Sequence, residues 1–196
     1  IAFGSCNKQN KPNILWKEVK KNTPDLWIWG GDNIYSDTDD ASKMAKDYEA
    51  LKKQQGYLEL VEHLPVMATW DDHDYGFNDS GIEFHKKEQA QKLFLDFFNV
   101  HQNSPRRKQS GIYNAKEFRT KEGSIKVIVL DTRYFRTSLI KASKGTKKRY
   151  KANMDSNSSV LGAAQWKWLE NELNTSKADF NLIVSRNPVY KRVAFL

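Results

Sequence analysis

The sequence predicts an α/β fold. Short apolar runs of strand length alternate along the chain with longer stretches of helical periodicity, and each of the first four runs breaks off into glycine or polar residues. Strands alternating with helices in this way favour a largely parallel central sheet.

The elements follow in order. Residues 1–4 form the first buried-strand run. Residues 13–21, just after Pro12, suit a helix. Residues 26–29 (Leu-Trp-Ile-Trp) form the second strand, and 41–54, dense in Lys, Glu, Ala and Leu, the second helix. Residues 66–70 form the third strand. Residues 82–100 then place Ala90, Leu93, Phe94, Phe97 and Val100 at helical spacing. The fourth strand is 125–130. Residues 137–159, polar and basic, are the longest irregular stretch and are expected as a flexible loop beside the site. Residues 163–173 present Trp166, Leu169 and Leu173 on one helical face, and 180–184 form the fifth strand. The 196 residues suit one domain over 1–196, with neither an internal repeat nor a linker.

Composition excludes disordered and fibrous classes. No apolar run approaches the roughly 18 residues of a membrane span, and no secretory-signal pattern opens the chain. The net charge of +8 favours acidic partners, phosphate esters among them. Its clusters at 105–108 and 144–151 lie among Ser, Gln, Gly and Asn without evident aromatic stacking platforms of the nucleic-acid type, so solvated loops are the simpler reading and no specific nucleic-acid site is expected. Cys6 is the only cysteine, which rules out an intramolecular disulfide.

The chemistry gathers at the strand ends. The first four runs lead into Ser5-Cys6-Asn7, Gly30-Gly31-Asp32-Asn33-Ile34-Tyr35, Asp71-Asp72-His73-Asp74 and Asp131-Thr132-Arg133. In a parallel sheet these ends share one edge, where ligands bind. Carboxylates gathered at a partly dehydrated edge repel one another, and a cation relieves that repulsion. Carboxylate, thiolate and phenolate together suit a first-row transition ion better than magnesium.

Phe3-Gly4-Ser5-Cys6-Asn7, the run from Gly31 to Asp37, Trp70-Asp71-Asp72-His73-Asp74 with Asn78, and the run from Leu130 to Arg136, followed by Leu161-Gly162 and Gln165-Trp166, together resemble the alkaline phosphatase D-like (PhoD-like) family, in family order over 1–185. The resemblance implies a metallophosphoesterase-like sandwich of two β-sheets flanked by helices, a four-layer αββα arrangement. It also implies hydrolysis of phosphate mono- or diesters by water activated at a metal pair, Fe3+ with Ca2+ or a related pair. Asp32 would bridge the ions, Cys6 and Tyr35 would bind the iron, and Asp72 the second ion. His73 would be the general acid. Asp74 joins it as a catalytic candidate that, like Asp71, orients His73 or closes the turn. Asn78 and Arg133 would bind substrate. An extracytoplasmic location is likewise implied.

Each assignment has a plainer rival. A lone cysteine is ordinarily a small buried hydrophobe. Asp32 after two glycines also suits a turn, Asp72 and His73 a capped turn, Asn78 an Asx-turn, and Arg133 an ion pair with a carboxylate. His63, His85 and His101 lie in or beside helical segments and read as ordinary histidines. The chain departs from the family after Ser185: a later Gly-Asp-x-His-type pattern is expected to complete the metal set, and the tail 187–196 contains no histidine or carboxylate. The sandwich is therefore expected to be incomplete at its C-terminal end, with apolar sheet edges exposed. A catalytically silent anion-binding domain is the competing functional class.

Overall fold

The computed structural model describes residues 1–187; the tail 188–196, singled out above for its composition, lies outside the described residues. The five expected strands form, but in two sheets rather than one. In the first, β1 (Ala2–Gly4), β2 (Trp27–Gly30) and β3 (Val66–Thr69) run parallel in that order. In the second, β5 (Ser124–Val129) lies between antiparallel β4 (Asn114–Arg119) and parallel β8 (Phe180–Val184). The polar sequence of β4 hid it as a strand, because it is an outer strand that only half buries its side chains.

Three core clusters define the layers. Leu26, Ile28 and Met67 of the first sheet meet Val127 and Val129 of the second, closing the two sheets face to face. The other face of the first sheet, with Trp27, Trp29 and Ala68, packs on α1 (Leu15–Lys21), α2 (Ala41–Lys52), α3 (Gln55–Val61) and α5 (Lys87–Phe97). The far face of the second sheet, with Ile128 and Leu130, packs on α6 (Gly162–Asn174) through Leu169. The order is helix, sheet, sheet, helix, as the resemblance implies.

Trp16, Trp27 and Trp29 meet edge to face at centroid distances of 5.4–5.5 Å, an arrangement that adds roughly 0.5–1.5 kcal/mol per pair to the burial of the rings. Helix α3 lies beyond the helix expected at 41–54 and contains Gly56. A Cβ there would come within 2.6 Å of Trp16 Cβ, so the glycine lets α3 close on α1.

The sheets are pinned to each other next to the site. Thr69 Oγ1 donates to the Leu130 carbonyl (2.7 Å) and Trp70 Nε1 to Asp131 Oδ1 (2.8 Å), all of it buried. Gln165 of α6 spans the Asp131 backbone, accepting from its N–H and donating to its carbonyl at 2.8 Å each. Residues 137–159 are more ordered than expected. Thr137 and Ser159 close the base through three hydrogen bonds, and β6 (Ile140–Lys141) pairs antiparallel with β7 (Tyr150–Lys151). The expected apolar edges are present: β1 and β8 are outer strands, and Ile1, Phe3, Leu182 and Ile183 are exposed along an open cleft between them of about 570 Å3.

The chain leaves β2 through Gly30 and Gly31. Gly31 has φ +100, and a Cβ on it would lie 2.9 Å from Asp71 Cβ and 3.0 Å from Asp71 N. At Gly30 the nearest atom would be 3.5 Å away, an ordinary contact. Gly31→Ala is therefore expected to lower stability by about 1–3 kcal/mol, and Gly30→Ala by less than about 1 kcal/mol, in urea denaturation. Equal effects would show that the turn does not depend on its left-handed backbone.

Candidate metal centre

Parallel neighbours deliver their loops to one place. Beyond the paired residues Gly4 and Trp29, the loops after β1 and β2 stay laced: Cys6 N–H donates to the Gly31 carbonyl (3.2 Å) and Asn7 N–H to that of Asp32 (2.9 Å). Cys6 (φ 59), Asp32 (φ 51) and Asp37 (φ 47) all hold left-handed backbone, a strain that concentrates at functional sites.

Asp32 is the hub. Its Oδ2 lies 3.3 Å from Cys6 Sγ and 3.5 Å from the Tyr35 hydroxyl. Asp32, Asp72 and His73 each present one ligand atom, and these atoms all fall within 4.8 Å of one another. Cys6 is exposed, so it does not serve as a small buried hydrophobe. Tyr35 is held at its backbone by Gln9, whose Oε1 accepts from the Tyr35 N–H (2.9 Å) and whose Nε2 donates to its carbonyl (3.2 Å). Burial, then Cys6 and Asp32, push the Tyr35 phenol well above its usual range.

The third strand end closes into a single helical turn, α4 (Asp72–Tyr75). Asp72 Oδ2 accepts from the Asp79 N–H at 2.7 Å. Burial works to raise its pKa, but that bond and the neighbouring Arg133 and His73 together hold the carboxyl below its usual range. His73 Nδ1 lies 2.7 and 2.8 Å from the two oxygens of Asp37, and its ring stacks on Tyr35 at 4.3 Å. An ionised carboxylate only accepts, so Nδ1 carries the proton and Nε2 is left for other partners. Burial pulls the imidazole pKa down, yet Asp37, Asp72 and Asp32 outweigh it and raise it above the ordinary value.

Two expectations need correction. Asp74 is fully buried and cannot touch a substrate; of its two expected supporting roles it takes the second, closing the turn, with its Oδ1 accepting from the Asp71 N–H (2.6 Å) and its Oδ2 from the Asn33 N–H (3.0 Å). It ties the β2 loop to α4, with burial lifting its carboxyl well above the usual range. Arg133, expected at the substrate, is buried beneath the carboxylates, with Nε and Nη2 on Asp71 Oδ1 (2.6 and 2.5 Å) and Nη2 also 3.5 Å from Asp72 Oδ1. Asn78, expected at the substrate, lies in the turn after α4, next to Asp79, which makes the contact with Asp72.

Sequence reasoning missed Arg186 and Asn187. Beyond β8, Arg186 Nη2 reaches Asp32 Oδ2 (3.3 Å) and Cys6 Sγ (3.5 Å), while Nε sits 2.9 Å from Asp71 Oδ2. Asn187 Nδ2 donates to Thr132 Oγ1 at 3.2 Å. The signal was available, since both directly follow a fifth strand end. Asp37 stood within a quoted motif, but no spacing rule foretells the left-handed turn that brings it to His73.

The donor set fits a cation. Asp32 Oδ1 is buried and has no hydrogen-bond partner among the described residues, a costly arrangement for a carboxylate oxygen unless it is a ligand atom.

A family model described as PhoD-like phosphatase matches residues 1–194. The chain belongs to the PhoD-like phosphatase family. Among solved structures, one described as "Structure of PhoD" aligns with a TM-score of 0.67 at 20% identity, covering 92% of this chain and 40% of that one. That likeness shows the shared sandwich fold, and the chain spans well under half the length of this PhoD structure. The comparison with curated proteins gave no match. In the PhoD-like frame, the strand ends that carry Cys6, Asp32, Asp72 and Arg186 are those of β1, β2, β3 and β8.

Asp74→Asn replaces one acceptor with an N–H2 that faces a backbone N–H. It is expected to lower stability by roughly 1–3 kcal/mol. Asp37→Asn, at an exposed side chain, should stay within about 0.5 kcal/mol. Thermal or urea melts of the two variants check this, and an undiminished Asp74→Asn would remove Asp74 from its place between the loops.

Proposed function

We propose that the full-length protein hydrolyses phosphate mono- or diesters at a dinuclear metal centre built around Asp32, with Cys6 and Tyr35 on an iron side and Asp72 on the side of a second ion such as calcium. The observation that carries this reading is the convergence of Asp32, Asp72 and His73 within 4.8 Å, at an orphaned, buried carboxylate oxygen. Bound metal ions would supply the charge that holds a phosphate and lowers the pKa of an attacking water.

The chain's own residues do the rest. Asp37 fixes the His73 tautomer, so that Nε2 is the ring nitrogen offered to a leaving oxygen, and its carboxylate favours the protonated imidazole that a general acid requires. Tyr35 limits ring rotation by stacking on His73. Arg133 keeps Asp71 and Asp72 compatible at close range from below. Arg186, partly exposed and hydrogen-bonded on the ligand side of Asp32, is the cation placed to meet a phosphate oxygen, the role first expected of Arg133. Membership of a phosphatase family agrees with this chemistry. No helix among the described residues is long and apolar enough to cross a membrane. We infer an extracytoplasmic location from the resemblance alone.

The test compares substrates in the full-length protein. Asp32→Asn should abolish turnover of a chromogenic phosphodiester, and normal turnover would remove Asp32 from the centre. His73→Ala should leave metal content intact and slow esters with alkoxide leaving groups by roughly 100-fold or more, while nitrophenyl esters, whose leaving group needs no proton, lose far less. Equal losses on both, together with loss of metal, would make His73 a ligand instead.

A further inference from the structure

The hairpin of β6 and β7 carries chemistry that the proposed reaction does not use. Between Ile140 and Lys151 it contains six basic residues, Lys141, Lys144, Lys147, Lys148, Arg149 and Lys151, and no acidic one. All six are exposed. Only Arg149 pairs with a carboxylate among the described residues, through Nη1 to Asp79 Oδ2 at 3.0 Å. The five lysines keep their charges for a partner from outside.

The hairpin is anchored beside the proposed centre. Its base is closed by Thr137 and Ser159, and Tyr150 donates its hydroxyl to Asp79 Oδ2 at 2.8 Å. Asp79 in turn donates its N–H to Asp72, so one residue links the basic strand to a candidate metal ligand. Arg136 holds the Asp79 carbonyl from the other side. Lys147 and Lys148 lie two or three residues from Tyr150, at most about 10 Å of extended chain. A solvated loop that served only solubility would need neither the anchor nor this one-sided charge.

We propose that this hairpin is a subsite for anionic chains, which selects substrates carrying further phosphate groups beyond the one being cleaved. The proposal rests on the phosphoesterase reading for the word substrate, but not for the binding itself. Closely spaced lysines that neutralise successive phosphates release counterions, which gives affinity a steep dependence on salt. Nothing in the hairpin reads a base or a sugar, so the selection is for charge.

The experiment uses the full-length protein and its Lys144→Gln/Lys147→Gln/Lys148→Gln variant. Binding of a fluorescein-labelled, phosphorothioate-linked ten-residue oligothymidylate is followed by anisotropy across a salt series, and turnover of bis(4-nitrophenyl) phosphate is measured alongside. The small diester carries no further phosphate for the lysines to hold, so it reports the centre. Expected is at least a roughly tenfold loss of oligothymidylate affinity at low salt, a salt slope reduced by about 2, and unchanged turnover of the small diester. Unchanged oligothymidylate binding would overturn the proposal, as would equal losses of binding and turnover, which would make the hairpin structural. Binding to anionic vesicles that depends on the lysines, without oligothymidylate binding, would assign the surface to membranes instead. If the wild type fails to turn over the small diester, the phosphoesterase reading falls while the binding arm still decides the hairpin.

Discussion

The buried ion pair between Arg133 and Asp71 is the interaction on which the centre depends. Asp32, Asp71 and Asp72 are brought to one edge by parallel strands, each less than a tenth exposed, and like charges at that range would otherwise be neutralised by protons. Arg133 lies beneath them with its side chain 7% exposed. Breaking such a pair typically costs about 3–5 kcal/mol, because the remaining charge stays buried. Even with Arg133 in place, burial holds the Asp71 carboxyl above its usual range, so the cluster as a whole still favours a further cation on its open side. Arg186 supplies one such charge from β8.

That crowding is possible only because the two sheets are held in line. Trp70 reaches from the end of β3 to Asp131 at the end of β5, and Asp131 uses its remaining capacity on the N–H groups of Ile112, Arg133 and Tyr134. Asp131 is therefore a fully buried fastener that sets where Arg133 begins. The lock runs on through Gln165 to α6, so a helix on the far face helps fix the position of the guanidinium under the carboxylates. Asp74 does the same job between the β2 loop and α4.

Periodicity found the five principal strands and the helices α1, α2, α5 and α6, since these depend on which side chains must be buried. It missed β4 and α3, whose residues are justified by neighbours rather than by pattern: β4 by its place at an edge, α3 by a glycine that meets Trp16. The helical pattern at 82–100 overran the helix, because residues 82–86 are turns closing on Arg136 and Glu83. For the site, the rule that parallel strand ends converge brought Cys6, Asp32, Tyr35, Asp72 and His73 to one neighbourhood. Direction was illegible. Whether Asp74 faces in or out, and whether Arg133 meets substrate or Asp71, is decided by a single turn of helix and by cross-sheet bonds that no local spacing encodes. Arg186 was overlooked because the fifth strand end was searched for histidine and carboxylate alone.

The central claim is that the edge around Asp32 is a metal centre. Metal analysis of the purified full-length protein, paired with its visible spectrum, is the most direct measurement. The account predicts about two metal ions per chain, iron among them, with a visible absorption band from thiolate or phenolate ligation by Cys6 and Tyr35. Full phosphodiesterase turnover in a colourless protein holding well under one ion per chain, undiminished by chelator, would contradict it.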